Sequence, residues 1–444
     1  MLKTLCKEEA AIMLSIIIFI IAYGMIVSEK FPRHWVAIGG GALLIVTGVM
    51  SPKDAIEYIN WETLGLLSGM FILVSILNEA GFFTWLAMTS IRKVNYQPIP
   101  LFVILIILAS FLAMFMDSIT VMLFLTALTV QLTRLLKIDP IPVVIAEVCA
   151  ANTGGAATLM GDPPNVILGT TLGFTFNDFA KNTMPVSIFV ALALLVFFYF
   201  INRKSLLNAR QLLTPETISE IENLQTEKVH VHMTRVGVIY FGIAVLLLIF
   251  HLPLTEITGL PINAATAALV PAILALLLLK PGQARTVILK VDGESLLFFS
   301  GLFLLIGGLE KARVFEVIAE LLAGAKTSTS IFIMALHWIP GLASGVLDNV
   351  PLALAMSYVL EDLAKIPGMP ALAMMVWALA LGVDIGGNLT PIGASANVVA
   401  YSYMERNYGK VGWKRWLLIA VPPTLMAMIM ASLLCVGKDM IGWY

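Results

Sequence analysis

The stretch Asn152-Thr-Gly-Gly-Ala-Ala-Thr-Leu-Met-Gly-Asp-Pro-Pro-Asn165 interrupts an otherwise apolar run, and an echo of it lies 232 residues downstream as Asp384-Ile-Gly-Gly-Asn-Leu-Thr-Pro-Ile-Gly-Ala-Ser-Ala-Asn397. Gly154, Gly155, Thr158, Gly161 and Asn165 fall on Gly386, Gly387, Thr390, Gly393 and Asn397. In the same register Ser68-Gly-Met-Phe71 meets Ser300-Gly-Leu-Phe303, and Glu62 meets Glu294. One residue out of step, Met116-Asp-Ser118 meets Leu347-Asp-Asn349. Small residues coincide by chance in an apolar chain, but not repeatedly in one register and one order. The chain reads as two related halves.

Composition says where those halves reside. Of 444 residues, 59 % are hydrophobic and 12 % charged, and the mean hydropathy is +0.94. A soluble domain carries about 25 % charged residues, so this chain cannot cover a globule with polar surface. A net charge of −1 excludes a protein that reads the phosphate backbone of nucleic acid. Cys6, Cys149 and Cys435 are too dispersed for a disulfide framework or a zinc site, so no metal or cofactor is expected. No G-x-x-x-x-G-K-[ST] occurs, which leaves ATP out as a direct energy source within this chain.

A membrane helix needs about 20 mostly apolar residues. Such runs occupy 11–28, 35–50, 63–80, 184–201, 236–251, 262–279, 295–309 and 416–436. The first has no small-residue cleavage site and reads as a retained span. Two longer regions, 99–136 and 330–364, carry a polar break at mid-length and read as re-entrant hairpins. Two more, 141–173 and 370–403, are spans broken by Gly, Pro and Asn. Arg92, Lys93, Arg134 and Lys137 flank the first hairpin, so its ends share one compartment, which the positive-inside rule makes the cytoplasm. Following the path brings Lys30, Arg33, the five basic residues of 202–235, Lys280, Arg285, Lys290, Arg406, Lys410, Lys414 and Arg415 to that side. Half as many basic residues remain outside.

The expected architecture is an all-α polytopic membrane protein made of two inverted repeats, 1–201 and 236–444, with a cytoplasmic linker at 202–235. Each repeat holds five transmembrane spans, one of them broken, and one re-entrant hairpin; both termini lie outside. An odd number of spans in each half requires the inversion. Inverted repeats with paired broken segments point to a secondary transporter whose site sits where the breaks meet, near the midplane.

Non-helical backbone at membrane depth persists only when it is buried in protein or lines water. Gly154, Gly155 and Gly161, with Gly386, Gly387 and Gly393, are expected to supply backbone angles closed to other residues. Pro163, Pro164 and Pro391 are expected to start new helical segments. The hairpin tips read Asp117-Ser-Ile-Thr120 and Asp348-Asn-Val-Pro351. Close helix packing explains one such break; four in symmetric pairs favour a site.

Asp117, Glu147, Asp162, Asp348 and Asp384 lie in or beside these breaks, and the four motifs contain no Lys or Arg. A charge at the bilayer centre costs about 2.5–3.5 kcal/mol on insertion scales, which makes intramembrane acids functional candidates. Asp117 and Asp348 suit helix capping as well as transport, and Asp162, ahead of two prolines, suits a cap first. Asp384 and Glu147 sit inside apolar runs and lead as proton- or cation-coupling groups, with Asp117 and Asp348 beside them. His337 reads as bonded to a neighbouring helix. Cys149 reads as a packing residue.

With Gly161-Asp-Pro-Pro-Asn165, Leu347-Asp-Asn349 and Gly393-Ala-Ser-Ala-Asn397 in view, the chain resembles the ion transporter superfamily over nearly its whole length. The resemblance is nearest to ArsB arsenite efflux permeases and the melanosomal P protein, and more distant to NhaD sodium/proton antiporters and divalent anion/sodium symporters. It implies a moving transport domain, drawn from 99–201 and 330–436, against a scaffold from 11–80 and 236–309, with elevator-like displacement. In the symporters Ser-Asn-Thr tips bind sodium and carboxylate; this chain departs from that pattern. Relatives of the P protein imply Asp-Asn at the first tip, where Ser118 stands instead.

Motifs lined by acids and free of basic residues disfavour a doubly charged carboxylate. Arsenite is As(OH)3 at neutral pH, uncharged and able both to donate and to accept hydrogen bonds. Asn152, Thr158, Asn165, Asn388, Thr390, Ser395 and Asn397 offer matching groups, as do Asp117, Ser118, Thr120, Asp348 and Asn349 at the tips. The expected function is export of arsenite, and antimonite with it, by proton antiport across a bacterial-type inner membrane. The alternatives are sodium/proton antiport and sodium-coupled carboxylate transport. The expected partners are the solute, protons or sodium, and membrane lipid; a soluble ATPase partner and a homodimer stay open. A channel needs no symmetric inverted breaks. An intramembrane aspartyl protease would carry Tyr-Asp and Gly-x-Gly-Asp, which are missing.

Overall fold

The computed structural model describes residues 2–28, 30–223, 229–325 and 328–440. Met1, residues 441–444 and residues 224–228 of the expected linker, Lys228 among them, lie outside the described residues. Among the described residues every regular element is a helix. Seven helices among the described residues are long and apolar enough to cross a membrane, and five shorter apolar helices accompany them.

Local chemistry sets where the helices begin. The side chains of Asn60, Asn263 and Asp292 accept hydrogen bonds from the backbone N–H of Thr63, Thr266 and Ser295, satisfying donors that have no partner inside the helix. Prolines open Pro98–Ala113, Pro140–Gly155 and Pro163–Leu172, where a missing N–H costs nothing. The same elements recur in the second half. Trp61–Glu79 and Gly293–Lys311 are both 19 residues long, and Pro98–Ala113 and Thr329–Ser344 are both 16.

Three boundaries differ from the sequence reading. Met184–Arg210 stays helical past residue 201, and Val231–Thr258 begins before 236, with a short helix, Pro215–Asn223, between them. Apolar run length marks the hydrocarbon core, about 30 Å, whereas a 27-residue helix rises about 40 Å and continues into the interface. The second broken span resumes at Ser395 rather than at Pro391, which lies inside the break.

Helices from the two halves interleave. Arg33–Val46 packs along Gly293–Lys311, and Ala264–Leu277 along Trp61–Glu79. Gly40 and Gly41 face Leu305 and Leu304, and Gly301 and Gly69 face the backbones at Ala37 and Ala268. Small residues let these helices approach closely where no hydrophobic effect drives association. In the rest of the molecule the entering hairpin arms, Pro98–Ala113 and Thr329–Ser344, pack on Pro140–Gly155 and Leu372–Gly386 of their own halves. The returning arms cross over. Ser118–Leu135 packs on Ser395–Asn407, and Asn349–Lys365 packs on Pro163–Leu172. That exchange draws both tips and both breaks into one region.

Burial separates inner from outer helices. The Leu372–Leu389 segment is 83 % buried over its apolar window, against 28 % for Met184–Arg210. The latter exposes Phe189, Leu192, Val196 and Phe200, a face suited to lipid.

Candidate functional site

The hairpin tips are built first by capping. Asp117 accepts from the backbone N–H and the hydroxyl of Thr120, each at 2.8 Å. Asp348 accepts from the Val350 N–H at 3.0 Å. Both aspartates therefore hold the first turn of a returning arm, and both stay partly accessible.

The broken spans are tied to these tips by matching bonds. The Thr158 hydroxyl donates to the Met114 carbonyl, and the Thr390 hydroxyl donates to the Gly345 carbonyl. Asn165 donates to the carbonyls of Gly155 and Thr158 at 3.0 and 3.1 Å. Asn397 donates to the corresponding carbonyls of Gly387 and Thr390 at 2.8 and 2.7 Å. Each asparagine thus satisfies the backbone that its own break exposes.

The glycines serve a different end from the one expected. None of Gly154, Gly155, Gly161, Gly386, Gly387 and Gly393 has a positive φ. At Gly154, Gly161, Gly386 and Gly393 a side chain is excluded by proximity instead: a methyl group on Gly154 would strike the Ser110 carbonyl oxygen, and one on Gly386 the Gly341 carbonyl oxygen. Freedom from a Cβ, not freedom of φ, is what these positions need.

Two hydrogen-bonded junctions hold the centre together. Asn152 donates from one Nδ2 to Asn388 Oδ1 at 2.8 Å and to Asn397 Oδ1 at 2.9 Å, joining the first break to the second. Asp162 joins the tips. It has extended backbone and makes no cap to its own helix, so the capping role read from the sequence does not hold. Its carboxylate accepts instead from Ser118 Oγ at 2.7 Å and from Asn349 Nδ2 at 3.4 Å. One carboxylate therefore touches both hairpins. The position that corresponds to Asp162 in the second half is Ala394, and that asymmetry is the sequence signal that could have singled Asp162 out.

Asp384 occupies the position that corresponds to Asn152. It is fully buried beside Asn165, whose Nδ2 already serves two carbonyls, and neither carboxylate oxygen receives a geometrically sound hydrogen bond. Glu147 lies away from the tips, bonded at 2.5 Å to Thr129 on the returning arm. His337 is held by the Ala378 and Met428 carbonyls of neighbouring helices, and Cys149 is buried and unbridged, as read from the sequence.

Basic side chains reach this region after all. Arg33, at the start of Arg33–Val46, donates to Ser395 Oγ at 3.0 Å and to Ser295 Oγ at 3.4 Å, and lies 3.6 Å from Asp348. Its guanidinium also covers the Phe298 ring at 4.9 Å. Motif reading missed it because Arg33 sits in a different stretch of chain, where it served only to orient the spans. The expectation of a site with no cationic partner is corrected. Arg33, Asp348, Ser395 and Asp292 line a cavity of about 320 Å³. A second cavity, of about 380 Å³, shares Asp292 and Ile119 with it and adds Asp117, Thr120, Glu294 and Lys290. Four carboxylates face two basic groups, so the surroundings remain acidic. Among the described residues no three His, Cys, Asp or Glu side chains cluster in a way that could hold a metal ion.

Buried polar breaks and two open cavities at paired hairpin tips, in a helical protein with several apolar spans, are the features of a multi-span membrane transporter. The chain belongs to the CitMHS family, described as citrate transporters, whose profile matches residues 23–382. It is 32 % identical over 413 residues to an uncharacterized transporter of Mycobacterium tuberculosis, covering 90 % of this chain and 93 % of that one. It is 29 % identical over 498 residues to the human P protein, covering 95 % of this chain and 59 % of the larger protein. Among solved structures it resembles the YdaH transporter of Alcanivorax borkumensis, with a TM-score of 0.58 at 12 % identity, covering 98 % of this chain and 99 % of that one. MtrF of Neisseria gonorrhoeae, described in a class of antimetabolite efflux pumps, also has a TM-score of 0.58 at 12 % identity, covering 96 % and 94 %. These two likenesses concern the fold alone.

Proposed function

We propose that this chain is a proton-coupled secondary transporter that exports arsenite or antimonite by an elevator-like movement of the hairpins and broken spans past the scaffold helices. The observation that carries the reading is the buried junction at which Asp162 binds both hairpin tips while Asn152 binds the opposite break. Residues so far apart in sequence converge at membrane depth on polar bonds, and membrane interiors keep such groups where solute or ions pass. The two halves are taken as inverted, with the cytoplasm on the side of Arg33 and Lys290. On that orientation, Arg33 and Lys290 place a cytoplasmic-side residue at each cavity.

Proton coupling is assigned to Asp384. Asn152 donates an N–H to Asn397 Oδ1, and at the corresponding place Asp384 faces Asn165. Only a carboxyl that carries a proton can donate to Asn165 Oδ1 as Asn152 does to Asn397. Loss of that proton leaves a charged carboxylate in a dry interior with neither oxygen soundly hydrogen-bonded, a difference in energy between two states that a proton gradient can use. Glu147 is the second acid available for this task.

Solute choice follows from the excess of carboxylates, which suits an uncharged hydroxylated molecule better than an anion. A carboxylate substrate is the second reading, favoured by Arg33 at the cavity and by the name of the family. Purified protein in proteoliposomes, given an imposed pH gradient and arsenite, citrate or sodium in turn, tests all three. Arsenite movement that needs the gradient supports the first reading; citrate movement alone replaces it with the second; sodium-for-proton exchange without either solute replaces both.

A further inference from the structure

Arg33 has no counterpart in the second half, where the corresponding residue is Ala265. Its helix packs along Gly293–Lys311, while its contacts Ser395 and Asp348 belong to the second broken span and the second hairpin tip. Three features bear on its role. The separation from Asp348 is 3.6 Å, an ion pair without a hydrogen bond. Two of the five guanidinium N–H groups serve Ser395 and Ser295, which leaves donors free. The side chain is 36 % exposed, and it lines the 320 Å³ cavity.

We infer that Arg33 is a solute-binding residue that donates to an oxygen of a small hydroxylated or carboxylate solute, and does so only while the site faces the side on which Arg33 stands. This rests on the elevator reading above. Ser395, Asp348 and Asp162 travel with the moving elements, whereas Arg33 stays with the scaffold. Solute therefore meets the guanidinium at one face of the membrane and loses it at the other. The planar fork and the ring of Phe298 beneath it fix the direction of the donors, which a lysine cannot reproduce. Affinity then differs between the two faces without any change in the residues that move.

The test is transport by full-length protein in proteoliposomes of defined orientation, with arsenite and citrate as separate probes, assayed from each face. Arg33→Gln should raise KM at the Arg33 face by about tenfold or more, the worth of one hydrogen bond to a charged group, and leave KM at the opposite face within about twofold. Arg33→Lys should recover only part of the loss. Phe298→Leu keeps the charge but loosens the guanidinium, and should shift KM at the same face by a smaller factor. Equal changes at both faces, or none, overturn the inference; the probe that responds says whether hydroxyl or carboxylate oxygen is the ligand. A second measurement needs no transport. Hydrogen exchange at the tip amides of residues 345–350 should quicken in Arg33→Gln relative to wild type, and unchanged protection overturns the cross-contact itself. Failure of the wild type to move either probe refutes the arsenite and carboxylate readings, while the exchange result decides the contact on its own.

Discussion

Replacing Asn152 by alanine probes the centre of the molecule most directly. The side chain is fully buried and its single Nδ2 serves Asn388 Oδ1 and Asn397 Oδ1, at 2.8 and 2.9 Å. Hydrogen bonds between membrane helices are worth about 0.6 kcal/mol on average in double-mutant cycles, so two of them set a floor near about 1.2 kcal/mol. Truncation costs more than the bonds themselves, because two acceptors are left without a donor in a dry interior, at about 1–3 kcal/mol each. Asn388 softens this only by turning its own free amide, whose Nδ2 has no partner, and Asn397 cannot turn without releasing Gly387 and Thr390. The expected loss is about 2–4 kcal/mol, read as a lower unfolding midpoint in detergent titration. A cycle pairing Asn152→Ala with Asn388→Ala should give a coupling of about 0.5–1.5 kcal/mol. A loss below about 1 kcal/mol with no coupling would mean that the two breaks are not held together by this amide, and the site as described would not stand.

Three further outcomes follow from the same geometry. Gly154→Ala should destabilise the protein by about 1–3 kcal/mol, since the new methyl meets the Ser110 carbonyl; Gly242→Ala, with open space around it, should be near neutral in the same melting assay. Asp384→Asn should fold, because it places at Asp384 the amide that Asn152 already carries, yet lose acceleration by a pH gradient; gradient-driven uptake at the wild-type rate would remove Asp384 from coupling. Cys149→Ala should still export arsenite in a vesicle uptake assay, and complete loss would mean that a thiol, not an array of oxygen and amide groups, holds the metalloid.

Much of the architecture is written in local chemistry. Twenty-residue apolar runs and proline and asparagine helix starts depend on short windows of sequence, so spacing alone reveals the apolar helices and their breaks. Asp117 and Asp348 as caps belong to the same category, since a cap and its helix are neighbours in sequence.

What the order of residues left undecided concerns partners far apart along the chain. Asp162 precedes two prolines, the context of an N-cap, but packing turns its carboxylate to Ser118 and Asn349, and no local rule chooses between those partners. Arg33 belongs by composition to a polar span end; only the interleaving of Arg33–Val46 with Gly293–Lys311 brings it to Ser395 and Asp348. The glycines say the same thing, because their need is set by a carbonyl on another helix rather than by their own φ. Helix-forming and membrane-partitioning energies depend on short windows of sequence, whereas the pairing of buried polar groups depends on which surfaces meet, and that is resolved only when both halves have packed.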